Sequence, residues 1–112
     1  MDREIMEQLI EEKKEVFESI SDQIWEFAEI QFEEVRSSVL QMQVLRENGF
    51  RITSPLGGLP TAFLAEYGEG RPVIGILGEY DALINMSQVC DLTERVAVVP
   101  NAPGHGCGHN LL

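Results

Sequence analysis

The order of elements in the sequence, two helices and then several short strands, predicts an α/β layer arrangement. Three observations carry it. Apolar residues recur at helical steps up to Ala28, a second such stretch is closed by a glycine, and from Phe50 onward short apolar runs alternate with turn residues.

In the first stretch, Ile5, Met6, Leu9, Ile10, Val16, Phe17, Ile20, Ile24, Phe27 and Ala28 follow one another at three- and four-residue steps. This is the stripe of an amphipathic helix, with Glu and Lys on the opposite face. A second helix is expected over Val35 to Asn48, with Val39, Leu40 and Val44 inward and Gly49 as the left-handed residue that ends it. Phe50 to Thr53 predicts a short strand, Ser54 to Pro60 a turn-rich loop, and Thr61 to Tyr67 a second strand leading into the Gly68–Glu69–Gly70 turn. Val73 to Leu77, nearly all apolar and β-branched, suits a strand covered on both faces of a sheet. A further apolar stretch, Val96 to Val99, stops at Pro100.

At 112 residues the chain holds at most one domain, and 44% hydrophobic with 24% charged residues is the balance of a globular protein. The formal charge of −11 argues against a nucleic-acid or anionic-membrane partner. Residues 1–34 hold twelve of the nineteen acids against Arg3, Lys13 and Lys14, a local balance of −9. Such a density reads as a solvated helix face, or else as an acid-rich docking face. Met1 is followed at once by Asp2, Arg3 and Glu4, without the apolar core of an export signal, and the longest apolar runs are too short to span a bilayer. A cytoplasmic protein with reduced cysteines is therefore expected.

Two segments carry donors for chemistry. The first, Gly78-Glu79-Tyr80-Asp81, sits where the predicted buried strand runs into a loop, the position at which open α/β sheets bind ligands. Its carboxylates could ligate or orient a metal, or could be ordinary solvated acids. The second, Pro103-Gly104-His105-Gly106-Cys107-Gly108-His109-Asn110, gathers both histidines and one of the two cysteines among alternating glycines. Glycine lets such a loop curl, so that Cys107 and His109 could aim at one point about 2 Å from each donor. A thiolate with an imidazole favours a borderline-soft transition metal over magnesium or calcium. The competing readings are a plain glycine loop and a nucleophilic Cys107 with a histidine base, although no nucleophile signature accompanies it. Cys90 has no neighbouring donors and reads as packing. A catalytic zinc site takes three protein ligands and a two-metal site more. Beyond Cys107 and His109 the chain offers only His105, Glu79, Asp81 and scattered acids. Asn110 is a good N-cap, with Leu111-Leu112 opening an apolar face, so the sequence is expected to continue.

With these residues in view, the chain resembles the start of the aminoacylase/carboxypeptidase-type metallopeptidases. Within them it is closest to the amidohydrolase branch acting on N-acyl amino acids, aminobenzoyl-glutamate and small peptides. The matching stretches are Ile24 to Glu29, Gly58 to Phe63, Pro72 to Leu83 and Gly104 to Leu112. The resemblance implies that residues 1–112 are the N-terminal part of a truncated α/β/α catalytic domain. Its remainder, and an inserted domain used for homodimerisation, have no counterpart here. It implies a pair of divalent ions, zinc or manganese, with Cys107 and His109 as ligands and Asp81 as the acid that positions a ligand. Glu79 falls where other branches carry a ligating histidine, and His105 receives no role. The paired glutamates of the family, one of them the general base, would lie beyond Leu112, so the 112 residues alone are expected to be inactive. The family usually continues Asp-Ala-Leu with proline and glycine, whereas Ile84-Asn85 stands here. The alternative reading is a non-catalytic remnant or interaction module presenting its acidic N-terminal helix.

Overall fold

A computed structural model describes residues 2–112. Helix α1 spans Arg3–Phe27 and helix α2 Val35–Glu47; strands β1, Arg51–Thr53, and β2, Leu64–Glu66, follow, and a 3-10 turn, His109–Leu111, closes the chain. The architecture is the expected α/β one, two helices followed by a short antiparallel hairpin in which Ile52 faces Ala65.

Each helix ends where its local chemistry dictates. In α1, Ala28 takes a left-handed conformation with φ 45°, and its N–H closes the last turn on the Ile24 carbonyl. Helix α2 ends in a Schellman arrangement. Gly49, at φ 87°, donates to the Arg46 carbonyl, and Phe50 donates to that of Leu45. At its start α2 is capped from outside. The Glu29 carboxylate accepts the N–H groups of Arg36 and Ser37 at 2.9 and 2.8 Å, together with the Ser37 hydroxyl at 2.8 Å. These are among the amides a helix cannot satisfy internally, and an anion beside them also suits the helix dipole. Burial pushes the Glu29 carboxyl up, but these hydrogen bonds and the Arg36 charge outweigh it and hold the carboxyl below the ordinary glutamate range.

The cap decides which face of α2 turns inward. Ser37, Ser38 and Met42 are buried, while Val39, expected inside, is exposed and Leu40 and Val44 are half-buried. The stripe on α1 likewise reaches the interior only near its end. Ile24 is fully buried, whereas Ile5, Met6, Leu9, Ile10, Val16 and Phe17 remain exposed. Strand Thr61–Tyr67 shortens to Leu64–Glu66. Thr61 is drawn away by a hydrogen bond to the buried Glu34 carboxylate, 2.8 Å, and by the Tyr80 hydroxyl donating to its carbonyl. The turn residues at 54–60 behave as expected, with Gly57 and Gly58 at positive φ inside a Leu56–Leu59 bridge.

Val73–Leu77 departs most from expectation: it forms no ladder, and Val73, Ile74, Ile76 and Leu77 are exposed. Backbone N–H and C=O groups of a central strand need a neighbour on each side, and among the described residues this run has none. Val96–Val99 is no strand either. It folds back through Val89 N–H to the Val96 carbonyl and Val99 N–H to the Ser87 hydroxyl. The radius of gyration is 16.2 Å, against about 13 Å for a compact domain of this length. Among the described residues the buried apolar side chains are Ile24, Met42 and Ala82, of which Ile24 and Ala82 are fully enclosed.

Candidate metal centre

Three chain segments meet at the end of α1. Glu29, just past the helix, gives its carbonyl to the Ala82 N–H at 2.7 Å, and Ile30 pairs with Ala82 in a parallel bridge. Leu83 and Gly104 then exchange both backbone hydrogen bonds at 3.0 Å. The loop that begins at Gly104 is thus tied beside the one that carries Glu79 and Asp81. Gly104 is required there, since a Cβ would stand 2.2 Å from the Met86 carbonyl oxygen. Tyr80, between the two acids, turns its side chain the other way, stacks on Phe63 and donates to Thr61. Its phenol pKa is raised to about 12, by burial first and then by the charges of Glu34 and Glu29.

This arrangement brings Glu79, Asp81 and His109 together, with one ligand atom from each within 4.8 Å of the others. His109 lies between the two acids, Nδ1 at 2.7 Å from Asp81 Oδ1 and Nε2 at 3.1 Å from Glu79 Oε2. Asp81 as acceptor fixes the proton on Nδ1, which leaves Nε2 to carry a lone pair towards Glu79. A lone pair and a carboxylate oxygen at 3.1 Å repel unless a cation or a proton lies between them. Two donors each about 2.0–2.2 Å from one ion are separated by about this distance. The donor set therefore fits a divalent metal. The hydrogen bond to Asp81 raises the His109 pKa against the effect of burial, and the charges of Asp81 and Glu79 add to it. Metal and proton compete for the same nitrogen, so affinity should fall as pH drops through that raised pKa.

The sequence-derived candidates are thus distributed unequally. Asp81 accepts a hydrogen bond from His109 Nδ1 at 2.7 Å. Glu79, left open by the resemblance, is the second donor facing Nε2. Cys107 is exposed and stands outside this three-residue group; Cys90 is exposed as well, and both thiols are free. His105 is engaged elsewhere: its Nε2–H donates to the Ile24 carbonyl at 3.0 Å. The contribution of Glu29 is hidden in the sequence, where it is one acid among twelve. Its place directly after a predicted helix end and a few residues before the next helix is the available signal.

No protein-family model matches the chain. It is similar to a subunit of p-aminobenzoyl-glutamate hydrolase from Escherichia coli (strain K12), being 45% identical over 103 residues, or 92% of this chain and 21% of that protein. The chain spans about a fifth of the length of the curated relative it matches. No helix among the described residues is long and apolar enough to cross a membrane.

Proposed function

We propose that the chain is the N-terminal part of a metal-dependent amidohydrolase of the aminoacylase/carboxypeptidase type. The observation that carries this reading is the Glu79–Asp81–His109 cluster, with His109 oriented by Asp81, in a chain 45% identical to part of a hydrolase. In the proposal the substrate is an N-acyl amino acid, aminobenzoyl-glutamate or a small peptide. The ions are zinc or manganese, two of them in the complete enzyme. When bound, a divalent ion supplies Lewis acidity towards the amide carbonyl and towards water.

This chain's residues would do the following. His109 offers Nε2 while Asp81 keeps the proton on Nδ1 and so fixes the ring plane. Glu79 offers a carboxylate oxygen beside Nε2. Cys107, exposed on the same loop, would add its thiolate after a local turn of the Gly106–Gly108 backbone, which goes with a reducing, cytoplasmic setting. A general base and further ligands would come from outside these 112 residues. Expected of the chain alone is therefore weak uptake of a divalent ion without hydrolysis. Titration with Zn²⁺ and Mn²⁺, followed by an assay on N-acyl amino acids and aminobenzoyl-glutamate, checks both halves. Metal-dependent turnover would contradict the incomplete site, and failure to bind either ion would contradict the metal role. A second reading, an interaction module, is favoured by the exposed apolar and acidic residues of α1 before Ser19.

A further inference from the structure

His105 and Asn110 bracket the Cys107–His109 stretch, and both reach back across most of the chain to the same helix. His105 Nε2 lies 3.0 Å from the Ile24 carbonyl oxygen, and Asn110 Nδ2 lies 3.0 Å from Ser21 Oγ and 3.4 Å from the Ser21 carbonyl oxygen. Ser21 and Ile24 are three residues apart and so stand on one face of α1. The carbonyls of Ser21 and Ile24 lie in the last two turns of α1. The Ile24 carbonyl also receives the Ala28 N–H, so His105 adds a second donor to an oxygen with two lone pairs.

The tautomer follows from geometry. A carbonyl can only accept, so Nε2 carries a proton. His105 Nδ1 is buried and has no partner among the described residues, so it holds a lone pair rather than a second proton that would need an acceptor. A histidine with one nitrogen engaged and the other buried and unused is neither a metal ligand nor a proton shuttle in this arrangement; it acts as a neutral donor.

We infer that His105 and Asn110 are positioning residues, two pins that hold the metal-binding loop on the end of α1 and set the place of His109 before any ion arrives. The assignment of His109 as a ligand rests on the function proposed above, whereas the pins themselves do not. The consequence is that α1, remote in sequence and without a donor of its own in the cluster, sets the geometry of the site.

Amide hydrogen exchange of the metal-free chain tests this. The Leu111 and Leu112 N–H groups bond to the Gly108 and His109 carbonyls and report on the loop, and the Phe50 N–H reports on α2 as an internal reference. His105→Phe keeps an aromatic ring, somewhat larger, and removes the donor. It should speed exchange at Leu111 and Leu112 by about tenfold, the factor that one lost hydrogen bond is worth, and leave Phe50 unchanged. His105→Gln can place an amide nitrogen near the Nε2 position and should restore the wild-type rate. Ser21→Ala perturbs the second pin from the helix side and should speed loop exchange by roughly twofold to threefold; it decides the matter if His105→Phe loosens Phe50 as well. Wild-type exchange in His105→Phe, or loss that glutamine does not restore, would overturn the inference and leave only a packing role. A parallel Zn²⁺ titration separates the two readings: His105→Phe should bind about tenfold more weakly than wild type. A wild-type chain that takes up no zinc sinks the metal site while the exchange rates still decide the pins.

Discussion

Ile24 and Ile76 are the same residue in two apolar stretches of similar promise, yet one is fully buried and the other 95% exposed. What separates them is the bonding of the backbone around them. Near Ile24, the helix end is crossed by the Glu29–Ala82 hydrogen bond, the capping carboxylate of Glu29 and the side chains of His105 and Asn110. Ile76 belongs to a run with no strand beside it among the described residues. Apolar character alone does not bury a segment here; burial follows the places where directional polar bonds draw three remote segments together. The candidate metal centre sits at that junction.

The comparison can be broken most directly at its two namesakes. Ile24→Ala should lower stability by about 2–5 kcal/mol, the range for truncating an enclosed aliphatic side chain, whereas Ile76→Ala should stay within about 0.5 kcal/mol. Urea denaturation of both variants checks this, and equal losses would show that position 76 is covered in solution. Gly104→Ala comes next. Its methyl would meet the Met86 carbonyl oxygen, so the Leu83–Gly104 pair must open, at about 1–3 kcal/mol. An alanine variant with native stability would mean that the junction is looser than described.

The fold is legible where the determinants are local. Helical periodicity marks α1 and α2, and Gly49 marks the end of α2 because a Schellman turn needs a left-handed residue. The two hairpin strands are visible; the second reads longer than it is because Thr61 is claimed by Glu34 and Tyr80, partners 27 and 19 residues away. Val73–Leu77 reads as a covered strand, since side-chain pattern reports what a segment would suit and not which neighbours it has. At the site, Asp81 and His109 are expected and stand together; the glycine-rich spacing announces the loop. That Glu79 faces His109 Nε2, and that His105 bonds to α1, depend on contacts across up to 81 residues that no local pattern encodes.

A smaller effect sharpens the same contrast by pH. The Glu29 carboxyl is held below its ordinary value of 4.5, so it is ionised more readily folded than unfolded. Its contribution is fully present above the unfolded value and is lost as pH falls through the folded one. Glu29→Gln should cost on the order of 1 kcal/mol at neutral pH, and its deficit relative to wild type should shrink as pH falls below that value. A deficit independent of pH would assign the cap to hydrogen-bond geometry and not to charge.

In the proposed site Asp81 orients His109 so that Nε2, with Glu79, receives one divalent ion. Nitrogen-15 NMR of the two histidine rings during a Zn²⁺ titration tests it most directly. His109 Nε2 should move to the shift of a metal-bound nitrogen, Nδ1 should keep its proton, and the His105 signals should stay in place. Zinc binding seen at His105 instead, or at His109 Nδ1 with Asp81 released, would contradict it.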